Sequence, residues 1–515
     1  MQALSQRCLR RASWPRLKFA AGHAAVALAL AAAPAAAAEP LPPIEPLLRT
    51  VDLNVGESAT VTLCDGSTAT AKLLDLRETR DSLRDAVRRA EVTVEVNGQR
   101  ATLVSANYRL PVTLGKAQID CAVTKGCVQK DKNPWALDKD ARFRLWPAGS
   151  PWIQPATFVY PLRQRWFATD TQIANEPVFV DGGERPAAKA IYYHWGLDQG
   201  GAEGLTEVVA ATEAVVVTAG KETIQPPDFP KPVEPRYDVV YLRDGRSWHY
   251  RYSHLHTIDP AVRPGARIKI GQRIGLLGKE GGSGGWAHLH FDIVAPQPSG
   301  RWGIVEAYAF YWQAYLAEHR PKLLAVARPH HLAAVGQTVQ LDATRSWSAA
   351  GPQHIRSFRW TFCDGTTADG ATPTRQYARP GTYSETLKVT DADGLADYDF
   401  AVVQVCDPAQ PDRYPPSIHA VYWPTFGLKA GDEVTFLVRS FRVRPDEGCE
   451  RWDFGDGSPA VEVRSDGNAK QLAKDGYAAT RHRYRQSGHY LASVERTNDR
   501  GEKAIGRLHV RIEPR

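Results

Sequence analysis

No two of the seven cysteines in this 515-residue chain stand in a C-x-x-C arrangement, which removes the commonest thiolate framework for zinc. Beyond the N-terminus no stretch is apolar enough to cross a bilayer, so no transmembrane segment is expected once that terminus is removed. Acidic side chains are absent from residues 1–38: Arg7, Arg10, Arg11, Arg16 and Lys18 precede the apolar run AAVALALAAA, and APAAAAEP offers a small-residue cleavage site after Ala38. This pattern is that of a signal peptide and implies a periplasmic or secreted protein. Five basic groups leave with residues 1–38, so the formal charge falls from +7 to +2. A nearly neutral chain makes no electrostatic demand for nucleic acid.

What is present points to several β-rich domains. Apolar runs are short and separated by plentiful glycine and proline, and the length exceeds one core. Six cysteines remain after signal removal: Cys64, Cys121, Cys127, Cys363, Cys406 and Cys449. An even number in an exported chain suggests disulfides. Cys121 and Cys127, which close a short loop, are the expected pair, and Cys363 with Cys406 would tie two strands of one later domain.

A first domain is read over residues 45–160. SATVTLCDG and AEVTVEVNGQRATLV are expected strands with Asp-Gly and Asn-Gly turns, and RDSLRDAVRRA between them is read as a helical turn or two. Its charged residues are read as solvated faces. A second domain spans 161–321, with the proline-rich segment QPPDFPKPVEP (225–235) as an inserted loop and VEAYAFYWQAYLAEH as a closing helix whose aromatic stripe belongs to the core. Two units at 322–408 and 414–515 echo each other. FRWTFCDG is answered by ERWDFGDG, and each is followed by a Gly-x-Tyr hairpin and an alternating strand. These residues resemble PKD-type (polycystic-kidney-disease) immunoglobulin-like β-sandwiches, whose hallmark W-x-F-G-D-G is complete at Trp452–Gly457 and has Cys363 in place of the glycine in the first copy. The resemblance implies spacers, or contacts to extracellular protein or glycan, with Asp364 and Asp456 as turn formers. Removal of 322–515 is then expected to leave the preceding domain able to cut soluble substrate.

Chemistry concentrates in the second domain. HLHFDIV (288–294) reads as a strand, so His288 and His290 share one face while Leu289 and Phe291 point into a core. Asp292 lies on the histidine face, either orienting a ligand or solvated at the strand end. In YYHWGLDQGG, Gly196 argues against a helix and allows a bend that brings His194 and Asp198 together. His194, Asp198 and His290 offer three nitrogen and oxygen donors with a fourth position open, the pattern of catalytic zinc. In YRYSHLHTI, His254 and His256 are read on one strand face, as candidate acid/base groups.

The ordered set H-x-G-x-D (194–198), Y-x-H-L (252–255), PGARIKIGQRIGLLG (264–278), a glycine-rich loop and H-L-H-F (288–291) resembles the lysostaphin-like, LytM-type zinc metallopeptidases over about 160 residues. The resemblance implies Zn2+ held by His194, Asp198 and His290, with His254 and His288 as unliganded catalytic histidines; His256 has no counterpart. It further implies hydrolysis of the peptides that cross-link bacterial peptidoglycan. The chain departs from the family at Ala287, where proline is common, at Trp286, after Asp198, and in the proline insertion. Two other functions fit the same domains: a non-catalytic wall-binding protein, against which the complete ligand set argues, and a secreted protease that degrades protein.

Overall fold

A computed structural model describes residues 41–128, 133–179, 191–224, 233–410 and 413–515. The expected signal peptide lies outside the described residues, as does most of the proline-rich loop (225–232). The described residues form one compact unit. The fold is mainly β and multidomain, as expected. Among the described residues no helix is long and apolar enough to cross a membrane.

The first region is built from two four-stranded antiparallel sheets. One runs Arg49–Leu53, Ala141–Pro147, Ala117–Thr124, Val112–Leu114, and the other is the meander Ser58–Thr62, Thr68–Arg80, Val87–Val96, Gln99–Val104. Asn97 and Gly98 close the last hairpin at φ 49° and 84°, the backbone that an Asn-Gly turn takes up readily. Of the helical turn or two read in RDSLRDAVRRA, one is present: the Asp85 amide donates to the Asp81 carbonyl at 3.1 Å. Asp81 Oδ1 accepts from the amides of Leu83 and Arg84 at 3.0 and 2.6 Å, making a single turn, and a strand begins at Val87. From Ala90 the apolar residues Ala90, Val92, Val94 and Val96 alternate with a period of two, which a strand satisfies and a helix does not. Nor are the charges here all solvated. Arg142 is buried with Asp52, and buried Arg144 bridges Asp120 and Glu306, the latter from the region that follows.

The six cysteines among the described residues are free rather than paired. Cys121 packs in the core shared by the two sheets, while Cys127 lies in a separate apolar cluster with Trp135 and Tyr193. Cys363 Sγ faces the Ser384 carbonyl at 3.4 Å, and Ser384 pairs with Val402, four residues along the strand from Cys406. Four residues of strand is about 13 Å, too far for a disulfide.

The central region is a nine-stranded sheet whose path runs Glu222–Thr223, Ala214–Ala219, Val240–Asp244, His249–Ser253, His288–Pro296, Leu197–Gly200, Thr171–Ile173, with a three-stranded sheet of Glu207–Val209, Arg273–Leu277 and Leu255–Ile258. The strand His288–Pro296 sits between two partners and is buried on both faces. Leu289, Phe291 and Ile293 are fully buried in the main apolar core against Tyr311 of the helix Tyr308–His319. That helix is buried around most of its circumference, so its aromatic residues are core, as read.

The last two units do not form separate beads. A nine-stranded sheet passes through both, because Gly381–Asp391 of the first pairs in parallel with Lys503–Ile512 of the second at Gly381↔Lys503 and Thr382↔Ala504. Trp360 and Trp452 are fully buried in their respective cores. Asp364 and Asp456 accept from the amides of Thr366 and Ser458 at 3.0 and 3.1 Å, the turn-forming role expected of them.

Candidate active site

The antiparallel register of Leu197–Gly200 against His288–Pro296 sets Asp198 directly opposite His290. Directly opposed residues share a face, so the carboxylate and the imidazole meet: His290 Nδ1 lies 2.7 Å from Asp198 Oδ1. His194 reaches the same point around a bend. Gly196 between them has φ 81°, and a Cβ there would stand 2.5 Å from the Phe291 carbonyl oxygen. Only glycine fits both the backbone angle and the space. His194 Nε2 then lies 3.1 Å from Asp198 Oδ2 and 3.2 Å from His290 Nδ1. One donor atom from each of the three residues falls within 4.8 Å of the others, and all three side chains are buried. Replacing Gly196 with alanine is expected to cost about 1–3 kcal/mol in local strain and to weaken divalent-metal affinity at least tenfold, by competition with a chromophoric chelator.

Asp292 is buried, 3.1 Å from His290 Nε2 and 3.5 Å from Arg251 Nη1, so of the two readings the solvated strand end is excluded. A carboxylate only accepts, so His290 Nε2–H donates to Asp292 and the Nδ1 lone pair faces inward. In that tautomer the lone pair faces the Asp198 carboxylate and the ring nitrogen of His194, a gathering of donor atoms at one point. Two imidazoles with one carboxylate are a donor set that zinc accepts. Burial alone would push the Asp198 carboxyl up, but His194, His288 and His290 outweigh it and hold it well below the usual carboxylate range.

His288 and His254 stand beside this centre without joining it. His288 Nδ1 donates to the Trp286 carbonyl at 3.0 Å, and its Nε2 faces Asp198 Oδ2 at 3.3 Å. His254 Nδ1 donates to the Glu280 carbonyl at 2.6 Å. In both rings the carbonyl fixes the proton on Nδ1 and leaves Nε2 with its lone pair. The two rings are 4.6 Å apart, centroid to centroid. Burial pushes the His254 imidazole down to about 4 against the opposing pull of Asp238, so it is neutral at ordinary pH.

The shared strand face read for His254 and His256 is absent. His254 adopts φ 67° and separates the strand His249–Ser253 from Leu255–Ile258. The break turns His254 into the site, with its amide donating to Asp238 Oδ2 at 3.1 Å, while His256 is exposed, 3.8 Å from Glu203. Such strain in a non-glycine residue is held by its surroundings and is typical of functional positions. One further participant, Asp238, had no signal in the sequence, and Trp286 stood out there only as a departure from the family pattern. Buried Asp238 anchors His254, and Trp286 stacks on His288 with centroids 3.9 Å apart.

Among curated proteins, the chain is 29% identical over 164 residues to the pre-pro-metalloprotease PrtV of Vibrio cholerae, covering 32% of this chain and 17% of that protein. It thus spans about a sixth of that relative's length. Among solved structures, Helicobacter pylori Csd3 aligns at 12% identity over 51% of this chain and 82% of that one, with a TM-score of 0.20. The fibronectin(III)-like modules of Clostridium thermocellum CbhA align at 12% identity over 36% and 90%, with a TM-score of 0.14. The family model of peptidase family M23 matches residues 192–299, which contain His194, Asp198, His254, His288 and His290, and PKD-domain models match 319–405 and 420–507. The chain therefore carries a peptidase family M23 domain followed by two PKD domains.

Proposed function

We propose that this chain is an exported zinc metalloendopeptidase that hydrolyses the peptide cross-links of bacterial peptidoglycan. The observation that carries the reading is the convergence of His194 Nε2, Asp198 and His290 Nδ1 on one buried point, with the rings of His288 and His254 beside it. His194, Asp198 and His290 would hold the zinc. A divalent cation at such a centre supplies Lewis acidity, polarising a carbonyl and acidifying water.

The remaining work falls to this chain's own residues. A peptide bond yields to water only if a base takes the water's proton and an acid protonates the departing amine. His288 and His254 are suited to both tasks, because each ring keeps its Nδ1 proton on a backbone carbonyl and offers Nε2 for exchange. His254, neutral at ordinary pH, accepts a proton without first losing one. Asp292 keeps His290 in the tautomer that presents Nδ1 inward. Asp238 and the Glu280 carbonyl keep His254 turned toward the site.

The peptidoglycan substrate and the export route follow from the LytM-type resemblance and the N-terminal sequence. A second reading, a secreted peptidase that digests protein, is favoured by the partial similarity to PrtV. One experiment separates them. The mature protein is incubated with purified sacculi and, separately, with unfolded casein, with and without chelator. The proposal expects chelator-sensitive release of muropeptides cut at a peptide bond, identified by mass, and little casein cleavage. Chelator-sensitive cleavage of casein alone would favour the second reading, and no cleavage of either would refute the enzymatic one.

A further inference from the structure

The glycine-rich loop before the H-x-H strand is held from outside the peptidase domain. Gly281, Gly284 and Gly285 adopt φ of 62°, 71° and 90°, and a segment of this kind has many conformations to lose on ordering. Its own domain holds it through Tyr237 and Ser283, whose side chains accept from the amides of Gly281 and Gly285 at 2.9 and 3.1 Å, and the second sandwich adds contacts from outside. Asn468 Nδ2 donates to the Gly284 carbonyl at 3.1 Å, and Arg439 Nη1 donates to the Gly285 carbonyl at 2.5 Å. The Ala287 amide donates to the Tyr477 hydroxyl at 2.7 Å. Between these, the Trp286 ring meets His419 edge-on at 5.4 Å while stacking on His288.

The contact is closely packed on both sides. A Cβ at Gly285 would stand 2.1 Å from Asn468 Oδ1, and one at Gly476 would stand 2.5 Å from Arg439 Nη2. Arg439 is fully buried, and Asp466 grips its guanidinium at 2.8 and 2.7 Å. A buried, charge-assisted donor of this kind is rigid, so it fixes the loop rather than following it.

The hydrogen bonds at Tyr477 run in one direction. An amide N–H only donates, so the Tyr477 oxygen accepts from Ala287. Its own O–H then donates to His419 Nδ1, 2.7 Å away. His419 is buried, and burial pushes its imidazole down to about 3, which keeps that nitrogen available as an acceptor. This chain of bonds begins at the residue immediately before His288.

We infer that the second PKD domain is part of the catalytic site, with Tyr477 as a positioning residue whose hydroxyl fixes Ala287 and so aims Trp286 and His288 at the metal centre. The inference rests on the peptidase reading above and replaces the spacer role expected of residues 414–515. Removal of 322–515 would take away every contact just named, so the expectation that the preceding domain works without them is withdrawn.

The test is Tyr477→Phe in the full-length protein, which removes one oxygen and keeps the ring. The expected result is a fall in kcat of about tenfold, with KM and zinc content unchanged and the protein still folded at the assay temperature. Amide hydrogen exchange should quicken over 284–290 and stay constant in the strand Lys503–Ile512. Asn468→Ala, which removes only the Gly284 contact, should quicken exchange over 284–286. Unchanged exchange in both variants would overturn the inference, and so would a rise in kcat, which would make the contact a restraint. A fall in kcat matched by loss of zinc or of folded protein would also overturn it, by reducing the hydroxyl to a structural role. Wild-type protein that cuts no peptide would sink the peptidase reading, whereas the exchange measurement judges Tyr477 in either case.

Discussion

Replacing His290 with alanine removes the bound divalent cation and peptide hydrolysis together. His290 is where the site's geometry is fixed. It sits opposite Asp198 in the strand register, touches that carboxylate at 2.7 Å, and is held from behind by Asp292. Without its imidazole, one nitrogen and one carboxylate remain in a buried space, two donors where a catalytic zinc needs three. The loss should exceed the roughly 10- to 100-fold drop that follows from losing only an outer partner, which Asp292→Asn provides as a graded comparison. Metal stoichiometry by elemental analysis, alongside release of muropeptides, measures both effects on one sample. His290→Ala protein that retained a full equivalent of zinc would remove His290 from the ligand set.

Replacing His288 with alanine separates the two effects: zinc stays and turnover falls by about 10²- to 10⁴-fold, the range for a lost acid/base group. His288 is two residues from His290 on the same face, yet its position differs. Its Nδ1 is committed to the Trp286 carbonyl and its Nε2 stands 3.3 Å from Asp198 Oδ2. It therefore borders the centre from the side of Trp286. His254→Ala should behave alike, because its Nδ1 is committed to Glu280 in the same manner. If His288→Ala released the metal while His290→Ala kept it, the roles of the two histidines would be exchanged.

The placement of these residues was legible in part from the sequence. A period of two on a strand is a strong constraint, and it placed His288, His290 and Asp292 on one face with Leu289 and Phe291 in the core. The bend at Gly196 was legible for a similar reason. A glycine between two polar residues marks a backbone conformation that other residues resist, and here φ is 81°.

His254 was identified through motif order, while the face assigned to it was wrong. Alternation assumes an unbroken strand, and the left-handed His254 breaks it. Nothing local announces such a conformation in a histidine, since tertiary contacts to Asp238 and Glu280 impose it. The disulfides failed for a related reason. Counting cysteines gives parity, whereas pairing depends on register, and register sets Cys363 and Cys406 apart. The helical reading of RDSLRDAVRRA holds for a single aspartate-capped turn, after which a long strand begins.

The least legible feature is the contact of Tyr477, Arg439 and Asn468 with the glycine loop. These residues lie more than 150 positions away in sequence from the loop they touch. The repeated W-x-F motif identifies a sandwich but carries no information about which loops of that sandwich face a neighbour. Arg439 and Tyr477 lie outside that motif, on a strand and beside one, where nothing distinguishes them from surface residues.

The central claim is that His194, Asp198 and His290 together hold one divalent cation. Anomalous-difference crystallography of the zinc-loaded full-length protein, with data on both sides of the zinc edge, tests it most directly. The account predicts a single strong peak about 2.0–2.2 Å from His194 Nε2, an Asp198 carboxylate oxygen and His290 Nδ1, with His288 and His254 outside bonding distance. A zinc peak elsewhere in the chain with this centre empty, or a peak here bonded to His288 in place of His290, would contradict it.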